Sequence, residues 1–163
     1  MLAELERMSL SADWVERVHA ARLVSRLDPA TSETIVTRLL MDSESVPVAE
    51  AMVTALLNVR REAGIRLVLR SLGRRRATGQ PLLEGLMNSE LDDVDVRGTI
   101  VEALVATEDR DEITGALVAI AWLAPGGNFP ASPAALLRVI ELTDDPDQTI
   151  RLLAAEALTA LAC

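Results

Sequence analysis

Nowhere in this sequence do β-branched or aromatic residues alternate over the length of a strand. Apolar residues recur three and four positions apart instead, in short runs cut by Asp, Ser, Gly and Pro. That spacing is the one-face pattern of an amphipathic helix. Leu (26) and Ala (24) dominate the 163 residues, and both are good helix formers. The chain is therefore expected to be all-α, a single domain over 1–163 built from about ten short helices. The predicted spans are 2–9, 12–27, 31–41, 47–59, 61–74, 80–89, 94–107, 111–124, 132–142 and 147–162.

Several boundaries have a local cause. Asp28-Pro29 is read as stopping the second helix, because a residue before Pro disfavours the α region. Pro47 and Pro81 fall in first turns, where a missing N–H costs nothing. Ser132-Pro133 pairs an N-cap with a first-turn Pro. Gly73 and Gly79 bracket a break, and Pro125-Gly126-Gly127 ends the most apolar run, 113–124. That run is too short to span a bilayer and is expected to be a buried core helix. The start is charged and amphipathic, without the form of a secretory signal. With one Cys, Cys163, the expected compartment is the cytoplasm. The absence of Lys beside abundant Ala and Arg points to a GC-rich, bacterial coding genome.

Four segments align on one template. The clearest, Asp145 to Leu161, has Asp six and four residues before Arg151 and small or apolar residues after it. The segment 11–27 repeats this around Arg17, 92–104 around Arg97, and 43–59 with Ala49 in place of the Arg. The helix before each also recurs, in the Leu-rich stretches beginning at Ile35, Leu82 and Leu136. The turn acids are expected to cap helices. The template Arg is expected to reach a turn carboxylate of an adjacent repeat. Template positions are spaced 32, 48 and 54 residues apart, so helices 61–74 and 111–124 look like additions to two-helix units.

The segment from Asp145 to Leu161 resembles a HEAT repeat of the type found in phycobilin-lyase-like proteins, and the three-helix spacings resemble an armadillo unit. The resemblance implies a right-handed α-solenoid of antiparallel helices, whose ordinary role is a protein-interaction scaffold or adaptor without chemistry of its own. HEAT-like families also include lyases and DNA glycosylases. A glycosylase would need a basic, aromatic-lined face, against a chain of net charge −9 with only Trp14, Trp122 and Phe129 as aromatics.

The charge is segregated: residues 1–59 carry −4, 60–76 carry +6, and 77–163 carry −11. Arg66, Arg70 and Arg74 fall on one helical stripe, flanked by Arg60, Arg61, Arg75 and Arg76. This stripe is a candidate surface for another protein or an anionic ligand. Nucleic acid is disfavoured, since no aromatic interleaves these arginines. Trp122 and Phe129, the latter in the loop with Gly126-Gly127, form a second candidate contact surface. His19, inside a helix, reads as structural. Asp92, Asp93 and Asp95, with Asp144, Asp145 and Asp147, read as caps and not as metal ligands. No nucleophile–base pair can be assembled, so no enzyme activity and no cofactor are expected. The apolar face of the last helix (Leu153, Ala154, Ala157, Leu158, Leu161) leaves three options: inward packing, self-association, or a longer array.

Overall fold

The computed structural model describes residues 1–75, 79–90, 95–124, 129 and 132–161. These residues form nine α-helices and no strand: α1 (Leu2–Ser9), α2 (Trp14–Val24), α3 (Pro29–Leu40), α4 (Val46–Arg75), α5 (Gln80–Glu90), α6 (Val96–Ala106), α7 (Arg110–Leu123), α8 (Pro133–Leu142) and α9 (Gln148–Leu161). The chain divides into two compact units, Met1–Val68 with Ala77–Val94, and Leu69–Arg76 with Asp95–Cys163.

In the first unit α1, α2 and α3 pack against one another. Their core residues include Ala20, Ala21, Val24, Val36 and Leu39, all fully buried. Asp28-Pro29 does not act as a stop: α2 ends at Val24, the Asp28 carboxylate accepts from the Thr31 N–H, and Pro29 opens α3. A proline there loses no helical hydrogen bond, so the same dipeptide that forbids continuation serves as a start.

The spans 47–59 and 61–74 are one element, α4, interrupted only at Arg61 (φ 38°, ψ −109°). The arms on either side fold back on each other. A Cβ on Gly64 would lie 2.9 Å from the Leu56 carbonyl oxygen, so the absent side chain permits the approach. The Arg60 guanidinium holds this bend to the α2–α3 connection, donating to the carbonyl oxygens of Ser25 (3.1 Å) and Leu27 (2.5 Å) and to Ser32 Oγ (2.9 Å).

In the second unit α6 packs on α7 and α8, and α9 packs on α7 and α8. Hairpin α6–α7 thus lies against hairpin α8–α9, first helix on first and second on second. Most of residues 113–123 are buried as expected for a core helix, with Ile113, Ala116, Leu117, Ala119 and Ile120 almost wholly out of solvent and Trp122 left exposed. A side chain at Gly115 would run into the Leu69 carbonyl, so α7 meets the end of α4 backbone to side-chain-free backbone.

One device recurs at the turns. Before α2, Ser11 Oγ accepts from the Asp13 N–H, Asp13 accepts from the Val15 N–H, and Arg17 Nη1 donates back to the Ser11 and Ala12 carbonyls (2.6 and 3.3 Å). Before α9, Asp145 accepts from the Asp147 N–H, Asp147 from the Thr149 N–H, and Arg151 Nη1 donates to the Asp145 and Pro146 carbonyls (2.7 and 3.0 Å). The same side-chain cascade precedes α7: Thr107 Oγ1 accepts from Asp109, and Asp109 from Asp111 and Glu112. Ile113 occupies the arginine position there, and Arg138 of α8 reaches the Thr107 carbonyl instead (3.2 Å).

This corrects the phase of the repeat. α7 is no addition: it is the counterpart of α9, 38 residues before it when Ile113 is matched to Arg151. Arg97, aligned from sequence with Arg151, has another task and lies 4.9 Å over the Phe129 ring. Asp92 and Asp93 lie outside the described residues.

Links between successive turns also run through arginine. Arg17 Nε lies 2.7 Å from Asp42 Oδ2, both side chains only 8% exposed. This is a charge-to-charge contact, because Nε finds no aligned hydrogen bond. Arg110 grips Asp145 with two bonds of 2.7 Å.

Two predictions follow from this geometry. Arg17→Ala removes the cation facing the buried Asp42 Oδ2 and the donor to two turn carbonyls, and is expected to cost about 3–5 kcal/mol in urea unfolding. Arg17→Lys should recover little of this, since an ammonium cannot span both partners; full recovery by Lys would contradict the geometry. Arg61→Gly should raise stability by roughly 1 kcal/mol, because a positive φ there costs a non-glycine residue about that much or more. A lower melting temperature for this variant would refute the bend.

Candidate interaction surface

The cationic stripe is engaged in the fold. Arg74 Nε lies 2.7 Å from Asp111 Oδ2, and Arg70 Nε lies 3.8 Å from the buried Glu112 carboxylate. Arg66 pairs with Glu62 at 3.4 Å. Arg75 is buried, and Arg60 is bound to the α2–α3 turn. Arg61 is exposed at the bend, and Arg76 lies outside the described residues. The expected anion-binding face is therefore mostly a set of internal ties. The partners of Arg70 and Arg74 come from the first turn of α7, where carboxylates are favoured by the helix dipole.

Phe129 is no exposed anchor either: it is 6% exposed, beneath Arg97. The rest of its loop, Gly126 and Gly127 included, lies outside the described residues. Trp122 is 39% exposed beside Val118, Ala121, Leu153 and Glu156, in a shallow cleft of about 250 Å³ between α7 and α9. The α9 face expected to seek cover packs inward, with Ala154 and Ala157 fully buried and Leu161 nearly so. His19 is exposed, so packing does not explain it; it borders a small depression with Met8, Arg22 and Leu23. Cys163 lies outside the described residues.

A groove of about 540 Å³ lies between α2 and the first arm of α4, which sequence reading did not single out. Trp14, Val18, Arg22, Ser25 and Arg26 form one wall. Pro47, Glu50, Ala51, Thr54, Ala55, Asn58 and Val59 line the other. Asp13 caps α2 and so starts the helix at Trp14. That start sets Trp14, Val18 and Arg22 at i, i+4 and i+8 on one stripe of α2, with Arg26 in the turn just past its end. Trp14 and Val59 are each half exposed. Glu50 is half buried. Burial, together with a hydrogen bond and charge repulsion from Glu84, raises its carboxyl above the ordinary range.

Asp95 caps α6 through the Gly98 N–H (2.8 Å), and Asp145 and Asp147 serve the turn before α9. Among the described residues no cluster of three His, Cys, Asp or Glu side chains could hold a metal ion, and no helix is long and apolar enough to cross a membrane. No protein-family model matches the chain, and no curated protein matches it.

Glu50 supplies a pH test. A carboxyl raised in the folded state is protonated more readily there than in the unfolded chain, so it favours folding at low pH. That contribution is lost as pH rises from the ordinary carboxylate range through the raised value. Glu50→Gln should therefore melt higher than the parent at pH 7.5 and converge with it near pH 4. A Gln variant that melts lower at pH 7.5 would contradict the burial of this charge.

Proposed function

We propose that the chain is a HEAT/armadillo-like α-solenoid that works as a non-catalytic protein-interaction scaffold. The repeated turn device before α2, α7 and α9 supports the repeat reading, as does the stacking of hairpin α6–α7 on α8–α9. The observation that carries the function is the α2–α4 groove: a concave wall of two helices with a half-exposed Trp at its rim. Exposed aromatics of this kind are the anchors most enriched at protein interfaces. The compartment consistent with this reading is the cytoplasm.

A second reading has its own observation. Leu137 and Ile140, three apart on α8, and Leu152 on α9 are each half or more exposed. They fit a regulatory or assembly subunit that self-associates through its last hairpin.

A photoreactive amino acid placed at position 14, at 137, or at the exposed control Glu102 separates these. The scaffold reading predicts a defined protein adduct from position 14 that is absent from the control. The assembly reading predicts a dimer-sized adduct from position 137. Equal labelling at all three positions would overturn both.

A further inference from the structure

The arginines of this chain can be accounted for one by one. Among the described residues all but three have a hydrogen bond, ion pair or ring contact through the side chain. The exceptions are Arg22, Arg26 and Arg61. Two of the three stand on the same wall of the α2–α4 groove, four residues apart and exposed. Carboxylates are not scarce: the chain has 25 acids against 16 arginines. Elsewhere most guanidinium groups meet a carboxylate, a turn carbonyl or a ring, and at this groove two meet none.

We propose that the α2–α4 groove binds an acidic segment of a partner protein, with Arg22 and Arg26 pairing with its carboxylates and Trp14, at the other end of α2, covering an apolar side chain. This rests on the scaffold reading and names the partner's chemistry. Arg22 stands in the last turn of α2 and Arg26 in the turn just past its end, so both cations line the same end of the groove and can meet carboxylates a few residues apart on a bound segment. Guanidinium groups take carboxylates in two-pronged fashion, so the pair fixes register as well as charge. A dense polyanion is a poorer fit. Glu50 and its neighbour Glu84 would repel closely spaced phosphates, whereas separated carboxylates can bridge Arg22 and Arg26 without approaching Glu50.

The test uses the full chain and an array of synthetic 12-residue peptides with constant apolar content and net charge stepped from negative to positive. Binding should rise steadily with negative charge. For the best acidic peptide, fluorescence anisotropy should show Arg22→Glu with Arg26→Glu weakening affinity by about tenfold or more. Trp14→Ala should weaken it as well, while Glu50→Gln should leave it equal or tighter. All substituted positions except Glu50 are exposed, and circular dichroism melts verify that each variant is folded. Binding that is flat with charge, strongest for basic peptides, or indifferent to the double reversal would overturn the proposal. If position 14 still crosslinks a partner in that case, the scaffold reading stands and only the acidic chemistry falls.

Discussion

The guanidinium-to-carbonyl bond at the helix turns is the interaction on which the rest of the structure depends. A chain of short helices has many ends, and every end leaves backbone carbonyls and N–H groups without helical partners. Here the N–H groups are met by Ser, Thr and Asp, and the turn carbonyls by arginine. Arg17 and Arg151 serve their own turns, Arg60 serves the α2–α3 turn, and Arg138 serves the turn before α7. An arginine offers five donors on a rigid plane and stays charged under burial, which a lysine does not. The exclusive use of arginine matches that work, whatever its genomic origin.

Charge segmentation takes on a different meaning in this light. Within the +6 stretch, Arg66, Arg70 and Arg74 each face a carboxylate of the fold. Arg70 and Arg74 answer Glu112 and Asp111 within the second unit, and Arg60 closes the α2–α3 turn within the first. The groove on α2 follows by subtraction: it is where the internal bookkeeping of charge does not close.

Helix positions were largely legible in the sequence because their causes are local. Asp13, Asp28, Asp95, Asp109 and Ser132 each cap within three residues, and α1 spans 2–9 as expected. The repeat was legible only where the arginine lies in its own turn. At α7 the donor arrives from Arg138, 31 residues beyond Thr107, so the Ile113 segment passed for an extra helix and Arg97 was matched in its place. The spacing Thr107-x-Asp109, shared with Ser11-x-Asp13 and Asp145-x-Asp147, was the available signal. The internal pairings of Arg70 and Arg74 were not legible for the same reason, since Glu112 and Asp111 are distant in sequence. The α2–α4 groove could not be read at all, because its two walls meet only through tertiary packing.

The central claim is that arginine at the turns, and not positive charge in general, holds these helices together. Two variants test it by thermal melting. One carries Lys at 17, 60, 138 and 151; the other carries Lys at 22, 26 and 61. Each lost turn bond of about 1 kcal/mol lowers the melting temperature of a chain this size by roughly 2–4 °C. The first variant should therefore melt more than about 10 °C below the parent, because the lost Asp42 contact at position 17 adds to the turn bonds, and the second within about 2 °C of it. Equal melting temperatures for the two variants would contradict the account.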